Sequence, residues 1–421
     1  VARDPICASV VNALDSPDAE LLAGDAKQSA LELAHAVDHS PKTPLFGFLE
    51  SLAASFDNAR RKELGVYYTP QAVADYLVER CDAIVRRRFQ KSRGLANAFL
   101  VDPAVGSGVF PAAAIRCAHA KFDAASGTTW SDFVRSTLLP HLTGHEIMPA
   151  AFVVANLLVA MELMQTGFAP KAEDRLRMQL GDALAEGARE TTSADSDGLL
   201  PVIIGNPPYR GLSTNDHPWI SRLLRGEGPD GRRCASYLHV DDEPLGERKT
   251  WLHDDYVKFF RLAHWQIERH GWGILALVTN HGFLDNPTFR GMRAALCETF
   301  DGIEVIDLGG NAKKARLRND ESVFETAQGM ALTVAWRTGN GGAPCEIRRG
   351  NLRGSRKSKL AQLANANENP VATYRVTTST PMYLFDVDLS GAKPEYEAGF
   401  RICDIMPVST TAPVTAIAAR R

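Results

Sequence analysis

Seven apolar runs separated by stretches of helical period restrict this chain of 421 residues to few folds. The runs lie at 98–103, 142–147, 175–180, 199–205, 272–279, 302–308 and 330–336. Strands that alternate with helices predict an α/β domain, a parallel sheet covered on both faces. Residues 1–60 read as acidic amphipathic helices whose apolar positions include Leu21, Leu22, Leu31, Leu33, Phe46, Phe48 and Leu49. Past Gly339 the glycine-, proline- and hydroxyl-bearing segments have no clear period, so irregular structure is expected. The organisation expected is a helical extension over 1–60, a sheet domain over 61–338 and an irregular segment over 339–421.

The run at 199–205 delivers the tetrad Asn206-Pro207-Pro208-Tyr209 to its carboxyl end. Two prolines fix φ and force the residue before each into extended geometry, which holds the Asn206 carboxamide and the neighbouring carbonyls in one arrangement. Such a tetrad can grip a planar amine. The Asn206 side-chain oxygen and the Pro207 carbonyl each accept one N–H, countering delocalisation of the lone pair into an aromatic ring. Tyr209 offers an aromatic face for an extruded base. The competing reading is a proline-rich turn with a capping asparagine.

Three further strand ends carry acids. The segment Asp102-Pro103-Ala104-Val105-Gly106-Ser107-Gly108-Val109-Phe110 reads as strand, glycine turn and helix start, with Gly106 and Gly108 letting backbone approach a ligand. It lacks the third glycine of a dinucleotide fingerprint and the Gly-Lys-Ser/Thr of a phosphate loop. Glu146 closes the run at 142–147, where a carboxylate takes both hydroxyls of a ribose; a capping acid before Pro149 is the alternative. Asp182 follows the run at 175–180, suited to accept from an adenine amino group or to make an ordinary turn. Asp102, Glu146 and Asp182 on successive strand ends describe a nucleoside bearing an amino acid, and S-adenosyl-L-methionine has those parts.

The order of these motifs, with Gly65-Val66-Tyr67-Tyr68-Thr69-Pro70 ahead of them, resembles the N6-adenine DNA methyltransferases of the gamma arrangement. More narrowly, Leu284-Asp285-Asn286-Pro287-Thr288-Phe289-Arg290-Gly291-Met292-Arg293 and Ile306-Asp307-Leu308-Gly309-Gly310-Asn311-Ala312-Lys313-Lys314 resemble the methyltransferase portion of type ISP restriction-modification enzymes, over roughly residues 45 to 410. The resemblance implies a Rossmann-like S-adenosylmethionine-dependent methyltransferase fold of seven strands, mostly parallel, with a reversed seventh strand beside the fifth. It implies double-stranded DNA as partner and transfer of a methyl group to N6 of a flipped adenine in restriction-modification or phage defence. Asn206, Pro207, Pro208 and Tyr209 would be catalytic. Tyr68, Thr69, Pro70, Asp102, Pro103, Ala104, Gly106, Gly108, Phe110, Glu146, Asp182 and Asn206 would hold the cofactor. Tyr68, Thr69 and Pro70 also read as a helix start, with Thr69 as N-cap and Pro70 at the first helical position. Among the helical stripe Tyr256, Phe259, Phe260, Ala263 and Ile267, the resemblance places an adenine-facing aromatic, Phe259 or Phe260; the rest reads as core.

The full type ISP enzymes carry a nuclease, a translocase and a target-recognition domain. No phosphate loop occurs here, and the chain stops at Arg421 soon after Ile405-Met406-Pro407-Val408-Ser409, which resembles the entry into target recognition. A separate target-recognition or restriction subunit is therefore an expected partner.

Composition sets the remaining limits. No apolar stretch approaches the roughly 18 residues that span a bilayer, and the start of the chain lacks a signal-type core, so a cytoplasmic enzyme away from membranes is expected. Seven cysteines show no Cys-x-x-Cys pair, which points to neither a disulfide framework nor a metal site. Cys345 after Pro344 follows a glycine turn late in the chain and reads as a loop cysteine, not a covalent nucleophile. A net charge of −3 means that DNA binding would rely on local patches. One contains Arg222, Arg225, Arg232, Arg233, Arg248 and Lys249 with Trp219 and Tyr237; the other contains Arg348, Arg349, Arg353, Arg356, Lys357 and Lys359. Two alternatives to an autonomous DNA methyltransferase stand: a glutamine-N5 protein methyltransferase, which uses the same tetrad, and a cofactor-binding modification subunit active only in an assembly.

Overall fold

Nine strands hydrogen-bond into one sheet, which from edge to edge holds residues 373–376, 346–351, 302–309, 330–337, 273–280, 200–205, 98–102, 142–146 and 177–180. In the computed structural model the described residues are 68–386 and 399, apart from 92, 124–126, 172, 187–197, 210–216, 242, 247–249 and 312–319. The extension expected over 1–60 lies outside them. The fold divides into Val1–Phe385 and Asp386–Arg421, and the first unit is the one described below.

Strands β1 (Ala98–Asp102), β2 (Leu142–Glu146), β3 (Arg177–Leu180) and β4 (Leu200–Gly205) come first, and β7 (Gly273–Asn280), β8 (Gly302–Gly309) and β9 (Met330–Arg337) follow. A small hairpin, β5 (His239–Val240) and β6 (Glu243–Pro244), lies outside the sheet. All residues of β1, β4 and β8 are buried, the continuous pattern of strands covered on both faces. Strand β9 runs antiparallel to both β7 and β8 and lies between them, so the reversed seventh strand stands where expected. Gly302 makes that pairing feasible: a Cβ there would stand 2.0 Å from the Trp336 ring.

Helix α1 (Gln71–Arg88) precedes β1, and helices α2 (Val109–Ala120), α3 (Pro149–Gln165), α4 (Pro218–Leu224), α5 (Asp255–His270) and α6 (Arg290–Thr299) lie between successive strands. The crossovers through α2 and α3 step one way along the sheet, and those through α5 and α6 step the other. With right-handed connections, the two pairs cover opposite faces. The reversal falls between β1 and β4, and a doubly wound sheet opens a crevice beyond the strand carboxyl ends at such a point. Helix α1 is tied to the sheet by Arg80, which donates to both oxygens of the buried Glu304 on β8 at 2.6 and 2.5 Å.

Two expectations need correction. The sheet has nine strands, not seven, because the described part of the segment past Gly339 holds regular elements: β10 (Glu346–Asn351) pairs parallel to β8, helix α7 (Arg356–Ala364) follows, and β11 (Thr373–Val376) closes the edge antiparallel to β10. Part of the basic run of this segment is internal: Arg349 and Lys359 are buried, whereas Arg353, Arg356 and Lys357 are exposed. Arg349 and Arg353 donate to Asp307 Oδ2 at 2.9 and 2.7 Å, and Lys359, fully buried, reaches Asp320 at 2.6 Å and the carbonyls of Leu308 and Glu321. In the other patch Trp219 and Tyr237 are core residues.

Candidate active site

A cavity of about 510 Å³ lies at the carboxyl ends of β1, β2, β3 and β4. Its lining includes Tyr68, Thr69, Pro103, Ala104, Gly106, Phe110, Glu146, Asp182, Asn206 and Pro208, so four separate strand ends and the Tyr-Thr segment before α1 converge on one space. Pro70, Asp102, Gly108, Pro207 and Tyr209 are not among its lining residues.

The glycine turn after β1 is built by backbone geometry. Gly106 has φ +57°, in the left-handed region, and an added Cβ would meet only the Ala104 carbonyl at 4.0 Å, so the wall is bare backbone. Gly108 serves packing instead: it begins α2 at φ +86°, and a Cβ would stand 3.0 Å from the backbone of Ala155 on α3. Asp102 is fully buried behind the turn, and its Oδ1 accepts the Ala104 N–H at 3.0 Å. Its Oδ2 has no hydrogen-bond partner among the described residues. Burial pushes this carboxyl up to about 8, an effect the Ala104 N–H opposes and the Glu146 charge reinforces. Gly205, the last residue of β4, is required beside it, because a Cβ would stand 2.7 Å from Asp102 Oδ1.

Glu146 joins two elements. Its Oε2 accepts the Gly106 N–H and its Oε1 the Met148 N–H, both at 2.8 Å, so one carboxylate braces the glycine turn and the entry to α3. The capping and ligand-facing readings of this residue are compatible. Burial raises its carboxyl to about 7 against those N–H groups. Asp182 makes the turn expected of it, accepting the Leu184 N–H at 2.8 Å, and still faces the cavity with His217 Nε2 3.5 Å from its Oδ2.

Asn206 stands at the end of β4, and its Nδ2 donates to Thr69 Oγ1 at 3.0 Å. That bond corrects the N-cap expected at Thr69. Pro70, which has no polar side chain, occupies the N-cap position of α1, and the Thr69 hydroxyl one residue earlier accepts from the Asn206 amide. Tyr209 is 3% exposed and packed in the core. Of the two phenylalanines of α5, Phe259 lines the cavity, while Phe260 is fully buried against Phe283 at 5.7 Å between ring centroids. Sequence reasoning missed His217, Pro218 and Asp255, which α4 and the start of α5 bring to the wall. Their only sequence signal was position at a helix start.

Strand order, reversed strand, glycine turn and switch-point cavity together define a Rossmann-like α/β fold. Solved structures similar to this chain include restriction-modification enzymes. The type ISP restriction-modification enzyme LlaBIII bound to DNA superposes with a TM-score of 0.66 at 16% identity, covering 92% of this chain and 29% of that one. The DrdV–DNA complex gives a TM-score of 0.64 at 22% identity over 88% of this chain and 35% of that one. A nuclease-deletion mutant of the type ISP enzyme LlaGI, in complex with a DNA substrate mimic, gives 0.62 at 15% over 91% and 34%. This chain thus spans about a third of the length of those proteins, and at these identities the likeness is one of fold. No family model and no curated relative matches the sequence. Among the described residues no helix is long and apolar enough to cross a membrane.

Proposed function

We propose that this chain transfers a methyl group from S-adenosyl-L-methionine to N6 of an adenine extruded from double-stranded DNA, as the modification module of a restriction-modification or phage-defence enzyme. The observation that carries this reading is the Asn206–Thr69 hydrogen bond in the wall of the cavity that Glu146 and Asp182 also line. The bond to Thr69 fixes the orientation of the Asn206 carboxamide, whose oxygen is the group that would accept an N–H of an incoming amine.

The residues fit the cofactor. Each Glu146 oxygen holds one backbone N–H and retains room for a second donor, the pairing that a ribose diol supplies. The bare turn at Gly106 admits backbone contact, the volume falls in the range of small-molecule sites, and Asp182 can accept from an amino group. Asp102, sealed behind Pro103 and Ala104, holds that turn in shape. When bound, the cofactor supplies an electrophilic sulfonium methyl. The chain's task is alignment: Asn206 and the Pro207 carbonyl each accept one amine N–H, and Pro208 and Phe259 close the space against water. Two of the similar structures named above are bound to DNA and the third to a DNA substrate mimic, which supports DNA as the substrate.

Labelled methyl transfer into mixed genomic DNA, digested to nucleosides, tests the reading. Label is expected in N6-methyladenine, with Asn206→Ala abolishing transfer while cofactor affinity stays within a few-fold of the parent. Label appearing in protein, or a mutant as active as the parent, would overturn it.

A further inference from the structure

The described part of the insertion between the tetrad and α5 is a docked platform. A Cβ on Gly291, at the start of α6, would stand 2.6 and 2.7 Å from the carbonyl oxygens of Tyr237 and His239. Arg290 Nη2 donates to the Leu245 carbonyl at 2.8 Å, and the fully buried Tyr237 hydroxyl meets His264 Nδ1 at 3.0 Å. The platform ends in a single 3-10 turn, Thr250–His253. Leu252 roots that turn in the core at 1% exposure, whereas the adjacent Trp251 is 46% exposed. The Asp254 N–H donates to the Trp251 carbonyl at 3.3 Å, which places Trp251 one turn ahead of the cavity residue Asp255. Because α5 carries the chain from the carboxyl end of β4 to the amino end of β7, its first turn stands at the carboxyl edge where the cavity lies.

We infer that Trp251 is a base-stacking residue of the DNA face, its indole taking the flat side of a nucleobase beside the cavity mouth. The inference rests on the DNA methyltransferase reading above. Extrusion of an adenine breaks its stacking, and an aromatic face on a pre-positioned turn restores one at little entropic cost. Charge on the same insertion fits a polyanion: Pro218 of α4 lines the cavity, and Arg222 at the end of that helix and Arg225 just after it are exposed. Nearby acids, Glu227 and Asp230, are exposed as well, so the arginines add attraction for phosphate while the indole supplies the contact with a base.

Binding of the full chain to fragmented genomic DNA, with indole emission followed during titration, tests this beside the methyl-transfer assay. Trp251→Ala is expected to weaken DNA binding about 5- to 100-fold, with cofactor affinity unchanged. Trp251→Phe should bind DNA within about threefold of the parent yet lose part of the DNA-induced quenching, because the quenched indole is gone while a stacking ring remains. Trp251→Phe also guards against a misfolded alanine variant. If the parent labels DNA and both variants bind it as the parent does with quenching unaltered, or if Phe is as damaging as Ala, the inference fails and the methyltransferase reading stands. A parent that neither binds nor labels DNA overturns both.

Discussion

Replacing Glu146 by Gln keeps the side-chain volume but removes one of the two acceptors that brace the site. The carboxylate now accepts N–H groups from Gly106 and Met148 at 2.8 Å each, in a buried position. A carboxamide presents one oxygen, so its NH2 must face one of those donors. Hydrogen bonds to a charged group contribute about 1.5–3 kcal/mol, and losing one to a ligand corresponds to about 10- to 150-fold in affinity. Adenosine is the informative probe, since it carries the ribose diol without an amino acid group that itself titrates near pH 8. The parent should bind adenosine more tightly as pH rises through 7. Burial holds the Glu146 carboxyl at about 7, ribose donors favour the ionised form, and at lower pH a proton must leave before they can be accepted. Calorimetry at pH 6, 7 and 8 should show that rise in the parent and a weaker, flat affinity in Glu146→Gln. An equal pH slope in both proteins, or affinities within twofold, would refute the assignment of the diol to this carboxylate.

Two further perturbations act on the scaffold. Asp102 has its folded value raised from 3.8 to about 8, so the stability tied to it is fully present below the lower value and is lost as pH climbs through the upper one. Asp102→Asn should therefore flatten the fall in ligand-free Tm between pH 6 and 9, and a parent-like slope would show that Asp102 does not carry it. Asp307 accepts from His281, Gly309, Arg349 and Arg353; burial alone would raise its carboxyl, but the His281 and Arg353 interactions and the Gly309 N–H hold it well below the carboxylate range. Asp307→Asn leaves a buried guanidinium short of its counter-charge, and urea unfolding should record a loss of about 3–5 kcal/mol, against near-parent stability if solvent compensates.

The strands that form the central sheet were legible because each is a local object. The expected runs at 98–103, 199–205, 272–279 and 302–308 agree with β1, β4, β7 and β8 to within a residue or two, since burial on both faces demands unbroken apolar residues. Strand β10 obeys a different logic. Its sequence Glu346-Ile347-Arg348-Arg349-Gly350-Asn351 reads as a basic loop, and it is a strand because Arg349 meets Asp307, 42 residues away in the chain, while Gly350 pairs with Ile306. Charge that a distant carboxylate neutralises cannot be distinguished, in sequence, from charge that faces water.

The same distinction divides the candidate site. Asp102, Glu146, Asp182 and Asn206 could be picked out because each terminates a strand, and strand ends in a parallel sheet are collected at one edge by topology alone. The opposite wall is assembled by tertiary packing. Phe259 and Phe260 are adjacent in one helical stripe, and only the rotation of α5 against β7 and Phe283 sends one ring to the cavity and the other to the core. Thr69 shows how far a local rule carries: Ser or Thr before Pro is a sound helix start, yet the hydroxyl is drawn to an amide 137 residues on, and the helix begins without its cap. A capping contact of about 1 kcal/mol is thus forgone where the side-chain oxygen instead fixes the orientation of Asn206, the group on which the proposed amine recognition depends.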